Sequence, residues 1–396
     1  MFVSVLFSLG IFFSERSLSL ALPNVQSDSS RAIFSSVTGI LESTKSRTRS
    51  LSERGSINYN PDGTPFLWLP QDEYSGTSFY DRWNFFNHPD PTNFLDKKTA
   101  FDKALVSIDK DGTAIMKADD FTSLERGKFR DSIRIESIDK YTTGLFVLDL
   151  KRAPWGCAVW PAFWTVGSDW PWNGEIDIIE GVHDNEHNQV AWHTAPDCNI
   201  NTTVGFSGSV TQAGGKAHTD CNAFIKSNAG CSITEWSRAS YGPYFDSQGG
   251  GVFVMKWDEN DISIWSFFRA AVPKDIIAGQ PNPSLWGVPS ARLHSSQCSI
   301  NKFFKDHSII FDITFCGDWA GNSYATSGCP DTCEDRLMNP KNFENATWSI
   351  NSLKVYRKQV LAKGFTQVVS SAPGAYSKLP TWGVLFVGGF VICSMV

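Results

Sequence analysis

Three carboxylates, Glu175, Asp177 and Glu180, crowd into the run Asn-Gly-Glu-Ile-Asp-Ile-Ile-Glu-Gly at residues 173–181. Paired carboxyl groups can do general acid–base or nucleophilic work, and like charges packed on one short element need a compensating reason. Two plainer readings compete: a solvated outer face, or part of a cation site. Ile176, Ile178 and Ile179 mark the run as a strand with an apolar side, which argues against a fully wet face. Strict alternation in that strand puts Glu175 and Asp177 on one face and Glu180 on the other. Glu180 can rejoin them only if one extra residue is absorbed, and a β-bulge at Ile178–Ile179 is the device that does so.

The surroundings of the acids are rich in indole. Trp155, Trp160 and Trp164 precede them in the run Trp-Gly-Cys-Ala-Val-Trp-Pro-Ala-Phe-Trp, Trp170 and Trp172 stand immediately upstream, and Trp192-His193 follows. Some of these rings must be core, the ordinary fate of a large apolar side chain. Others suit flat platforms for the apolar face of a sugar. Acids beside platforms are what a polysaccharide cleft requires. Glycosidic cleavage uses two carboxyl groups, one protonating the leaving oxygen and one acting at the anomeric carbon, about 5–5.5 Å apart when configuration is retained. Adjacent same-face strand positions are expected to supply that separation.

Short strands dominate the elements that must position these groups. Residues 132–138 alternate, with Ile133 and Ile135 against Arg134 and Glu136, and 144–151 places Phe146, Leu148 and Leu150 on one face. Residues 251–268 read as a hairpin around a four-residue turn, and 308–315 and 348–356 complete the set. Helical periodicity is scarce, about one turn near 339–345. Many short strands without long helices predict an all-β, antiparallel sandwich whose curved sheet offers one concave face as a groove.

Bulk properties narrow the partners. Net charge is −6, so no nucleic-acid partner is expected, and 15 Trp among 13% aromatics is a high count. Nine cysteines include no C-x-x-C pair, which leaves a zinc site unsupported. Eight lie in the body of the chain and one, Cys393, near its end, which suggests disulfides in an exported protein; Cys221 with Cys231 is the pair their spacing favours.

Both ends read as processing signals. Residues 1–21 hold an apolar run and a small-x-small cleavage site, although no basic residue precedes the run. Residues 22–65 form a polar, mobile segment, 66–360 the catalytic body, and 361–381 a linker and spacer. The uncharged tail 382–396 fits a glycosylphosphatidylinositol attachment signal, with a short membrane helix as the alternative. A secreted or surface-anchored location follows, in which Asn201 and Asn345 stand in usable glycosylation sequons.

The segment 155–193 resembles the fungal laminarinase-type branch of glycoside hydrolase family 16. The likeness continues in Trp83-Asn-Phe-Phe, in the run Phe-Asp-Ile-Thr-Phe-Cys-Gly-Asp-Trp-Ala-Gly from Phe311, and in Asn351-Ser-Leu-Lys-Val-Tyr, covering nearly all of 70–360. It implies a β-jelly-roll sandwich with a concave β-glucan cleft and cleavage with retention; no cofactor, no metal in the site and a monomer are the accompanying expectations. It implies Glu175 as nucleophile, Glu180 as general acid/base, Asp177 tuning the nucleophile, His193 in the cleft, and Trp164, Trp170 and Trp319 as sugar-stacking positions. Trp172 departs from the small or polar residue usual in this branch. The expected activity is endo-hydrolysis of β-1,3 or mixed β-1,3/1,4 glucan. A cell-wall transglycosylase is the alternative, and a non-catalytic glucan-binding protein the alternative of another class.

Overall fold

The computed structural model describes residues 57–362, apart from Pro91, residues 226–227 and Ala239, together with the short strand pair Phe386–Val387 and Phe390–Val391. The expected signal peptide, most of the polar segment, and nearly all of the linker and tail lie outside the described residues. Among the described residues no helix is long and apolar enough to cross a membrane.

Two large, almost wholly antiparallel sheets carry the body, one of nine strands and one of eight. The nine-stranded sheet runs from Asn58–Tyr59 through Pro65–Ser75, Thr347–Val360, Gly144–Arg152, Gly251–Trp257 and Asp261–Phe268 to Ala291–His294, with Val106–Ile108 and Ala114–Lys117 attached through Thr347–Val360. The order of the eight-stranded sheet is Ser209–Val210, Cys231–Thr234, Gln189–His193, Glu175–Glu180, Val159–Gly167, His307–Phe315, Arg134–Tyr141 and Trp83–Phe85. The sandwich expected from the short alternating strands is therefore present. Strand pairing among the described residues starts at Asn58, which is buried and pairs with Phe66 to extend the sheet. The turn of the 251–268 hairpin is one residue shorter than expected, with Asp261 already in the strand.

Alternation explains the core. Ile135, Phe163, Ile176, Trp192, Phe311 and Ile313 point inward from the eight-stranded sheet, with Ile133 just before it, and meet Phe146, Leu148, Phe253, Met255, Leu353 and Val355 from the other. Phe163 and Phe311 stack with centroids 4.6 Å apart. Leu145, Val147, Val252 and Val254, on the outer face of the nine-stranded sheet, are buried in a second cluster with Phe66 and Trp68. That strand face is therefore apolar on both sides, and the polar outer face of the eight-stranded sheet is the one left for chemistry.

Four disulfides pin the loops: Cys157–Cys329, Cys198–Cys298, Cys221–Cys231 and Cys316–Cys333. All eight body cysteines are paired, including the pair singled out by spacing.

Candidate active site

The acid strand Glu175–Glu180 lies between Val159–Gly167 and Gln189–His193. Its partners on the first neighbour are Val166 for Glu175, Thr165 for Ile176 and Trp164 for Asp177; the register then jumps, so that Phe163 meets Ile179 and Ala162 meets Glu180. Ile178 has no partner on that ladder and is the extra residue of a bulge, at the place the alternation demanded. Glu175, Asp177 and Glu180 face partners two residues apart in each step, which puts all three on the cleft face. Ile178 and Ile179 are both fully buried in the core. Each buried isoleucine stabilises the fold by about 1.5–3 kcal/mol, so the apolar effect itself holds the irregular backbone.

Glu175 and Glu180 are not adjacent positions, contrary to the simplest reading of the spacing. Their partners stand four residues apart on the facing strand, roughly 13 Å along the sheet. The Glu175 carboxylate reaches to within 4.8 Å of an Asp177 oxygen, toward the middle of the strand.

The three acids line a cleft of about 420 Å³ with Arg134, Trp160, Ala162, Trp164, Asn228 and Asp312. Each glutamate accepts a hydrogen bond from an indole: Trp170 Nε1 donates to Glu175 Oε2 at 2.6 Å, and Trp160 Nε1 donates to Glu180 Oε1 at 2.8 Å. Asp177 is buried, with Oδ2 at 3.4 Å from His193 Nε2. Cross-strand from Glu175, His193 has its Nδ1 at 2.9 Å from Asn228 Oδ1. Trp164 donates to Asp312 Oδ2 at 2.9 Å, and the Arg134 guanidinium stacks over the Trp164 ring at 5.1 Å.

Charge is distributed unevenly across this cluster. Burial raises Glu175 to about 7, with the Asp177 charge adding to the effect and His193, the Trp170 bond and Arg134 opposing it. Burial also lifts Glu180 well above the usual carboxylate range, again reinforced by Asp177, and Glu175 adds a second like charge. Like-charge repulsion acts on both glutamates alike, and Glu180, which lacks the opposing Arg134 charge, is raised the further. Glu175 is the group that ionises first. For His193 burial opposes the charged form, but the Asp177 hydrogen bond and the charges of Glu175, Asp177 and Glu180 override it and push the imidazole to about 10. Burial raises Asp312 to about 6. Glu175, Asp177 and His193 also bring one donor atom each within 4.8 Å of one another, a spacing a cation could bridge; an imidazolium already supplies positive charge there.

The other sequence-selected residues fall around this centre. Trp164 lines the cleft, and Trp170 stands at its rim with its N–H committed to Glu175. Trp319 packs edge-on against Trp160, with centroids 6.0 Å apart, and lines a neighbouring hollow of about 220 Å³ with His187 and Gly181. Trp192 is core. Trp172 is 56% exposed and pairs with Phe224, 59% exposed, at 5.9 Å. Buried Asn201 donates its amide nitrogen to Ser296 Oγ, so that nitrogen is already engaged, while Asn345 is partly exposed and accepts from Arg152. Sequence reading passed over Arg134, Asp312 and Asn228 as site residues. Arg134 and Asp312 were detectable as charged positions on the outer face of otherwise apolar strands, directly opposite one another in register.

The residue after the acid is fixed sterically. A Cβ at Gly181 would stand 2.8 Å from the buried Tyr241 ring. Gly181→Ala should cost about 1–3 kcal/mol of stability, read by thermal denaturation, and lower turnover by displacing the neighbouring Glu180.

Carboxyl groups gathered in an aromatic-lined cleft are what the cleavage of a glycosidic bond requires. The model of an XgeA-like catalytic GH16 domain matches residues 83–356, and the chain belongs to glycoside hydrolase family 16. It is 42% identical to a probable glycosidase of Schizosaccharomyces pombe over 72% of this chain and 68% of that one. Laminarinase 16A of Phanerochaete chrysosporium, solved with two β-glucans in donor and acceptor sites, superposes with a TM-score of 0.69 at 37% identity, covering 74% of this chain and 100% of that one. An elongating family 16 β-1,3-glucosyltransferase superposes with a TM-score of 0.68 at 36% identity, covering 73% of this chain and 100% of that one. The chain spans about half the length of several probable endo-1,3(4)-beta-glucanases it matches from Aspergillus and Neosartorya.

Proposed function

We propose that this chain is an endo-acting, retaining glucanase that cleaves β-1,3 or mixed β-1,3/1,4 glucan. The observation that carries the reading is the bulge, which sets Glu175, Asp177 and Glu180 on one face of one cleft. Glu175, the first to ionise, attacks the anomeric carbon and forms a glycosyl-enzyme ester. Glu180, held protonated by burial and its two carboxylate neighbours, gives its proton to the departing glycosidic oxygen. The same carboxylate then takes a proton from water, whose oxygen displaces Glu175 and restores the anomeric configuration. Asp177, paired with His193, lies between the two glutamates and tunes their charge. Trp164 and Trp170 are sugar platforms at the cleft, Trp319 extends them next door, and exposed Trp172 with Phe224 adds apolar surface at the rim. Four disulfides support secretion, with a lipid anchor at the tail as part of the same proposal and a monomer as the working state.

The near-equal likeness to a laminarinase and to an elongating glucosyltransferase supports a second reading, in which a sugar hydroxyl replaces water in the second step. Incubation with laminarin, lichenan and a linear β-1,4 glucan, with products sized over time, tests both. Hydrolysis predicts progressively shorter products from the first two and none from the third. Products longer than the substrate, appearing when an oligosaccharide acceptor is added, would replace hydrolysis by transfer.

A further inference from the structure

The bulge leaves backbone groups that a regular ladder would have paired. On its second side the acid strand pairs with Gln189–His193 only through Glu175↔His193, Ile176↔Trp192 and Asp177↔Ala191. Beyond Asp177 the pairing stops, and an unpaired buried backbone group is costly. The side chain of Asn188, one residue before the partner strand begins, takes over. Its Nδ2 donates to the Ile178 carbonyl at 2.9 Å, and its Oδ1 accepts from the Glu180 amide at 2.9 Å. These are the two polar backbone groups that flank Ile179, so one carboxamide spans the irregular step as a neighbouring peptide unit would.

Asn188 is itself held on every side. It is fully buried; its amide donates to Ser240 Oγ at 3.0 Å, and its carbonyl accepts from the Glu235 amide at 2.9 Å. Ser240 in turn donates to the Ser237 carbonyl. With its backbone facing Ser240 and Glu235, the carboxamide has no freedom to leave the acid strand. The role needs one donor and one acceptor at fixed separation, which Asn supplies and Asp, Ser or Ala does not.

We propose that Asn188 is a positioning residue for Glu180, setting the backbone from which the acid/base reaches the leaving oxygen. The inference rests on the assignment of Glu180 above. It predicts a specific kinetic lesion: misplacing Glu180 harms the step that needs proton donation and spares the step that does not.

The test compares Asn188→Ala, Asn188→Asp and Glu180→Gln on two substrates, laminarin and a dinitrophenyl β-glycoside of the same glucan disaccharide, whose leaving group departs without a proton. Asn188→Ala is expected to lose about 10²-fold in kcat/KM on laminarin, mostly in kcat, and less than about tenfold in the rate of dinitrophenol release. Asn188→Asp sets a buried carboxylate oxygen against the Ile178 carbonyl, acceptor against acceptor, so it should lose at least as much as Asn188→Ala. Should Asn188→Ala not fold, the neutral Asn188→Ser carries the same comparison. Equal losses on both substrates, alongside a clear split for Glu180→Gln, would overturn the positioning role and leave the acid assignment standing. No split for Glu180→Gln itself would remove the acid assignment and the positioning role together.

Discussion

Glu175→Gln will abolish cleavage of every glycoside offered, whatever its leaving group, by on the order of 10⁴-fold or more. The reason is chemical: a carboxamide cannot form the glycosyl ester, and the Asp177 carboxylate beside it is buried and paired with His193. The fold should not suffer. Glu175 is raised from 4.5 to about 7 in the folded chain, so ionising it works against folding. A carboxyl raised in this way lowers stability as pH climbs from its unfolded value through its folded one. The neutral Gln variant should therefore melt no lower than wild type at neutral pH. A shorter variant adds a positive signature: with Glu175→Ala, azide can enter from the vacated side and release a glycosyl azide of inverted configuration. A Glu175→Gln variant that still cleaves glucan would sink the nucleophile assignment.

Glu180→Gln will produce a different pattern. Glucan cleavage should fall by about 10²–10⁴-fold, because the departing sugar oxygen now leaves without a proton. Release of dinitrophenol should survive far better and show a burst, since the glycosyl ester still forms while its hydrolysis lacks a base. pH adds a second readout. In wild type, activity rises as Glu175 loses its proton and declines as Glu180 loses its own, the alkaline side lying high because burial and Asp177 hold Glu180 protonated. Glu180→Gln should erase that alkaline decline from its residual glucan cleavage and keep the acidic rise. Retention of the decline would assign it to another group.

Much of this was legible because alternation is a strong signal. Ile133 and Ile135, or Phe146, Leu148 and Leu150, announce one buried face, and the structure places them in one core. The acid run was legible for the opposite reason, since it breaks alternation and only one local device repairs the break. The strand Val159–Gly167 was harder to see as a strand. It holds Pro161, a residue that argues against a central position. The structure shows why it is tolerated: the Ile313 amide donates to Ile133 on its far side, so Pro161 faces Ile313 where no ladder bond is needed. The ring nitrogen then points toward the acid strand past Glu180, its last paired residue. Asn188 and Ser240 could not be found from sequence at all. A buried polar side chain that mends backbone looks, residue by residue, like any loop asparagine or serine.

Tryptophan was read for its ring and turned out to act equally through its nitrogen. Trp160, Trp164 and Trp170 each send an indole N–H to a carboxylate of the cleft, so these side chains fix the acids as well as offering faces to sugar. That double use explains why so many indoles gather around so few acids.

The extra isoleucine has one more consequence. A chain shorter by Ile178 would read Glu-Ile-Asp-Ile-Glu, and plain alternation would place all three acids on the cleft face with the last still opposite Ala162. Outward facing is thus available by two routes of different length. The longer route, used here, hands the peptide groups around Glu180 to a side chain that a single codon can alter. The nucleophile end of the strand remains bound by ordinary sheet pairing to two neighbours, so the two halves of the catalytic pair are open to change at different rates.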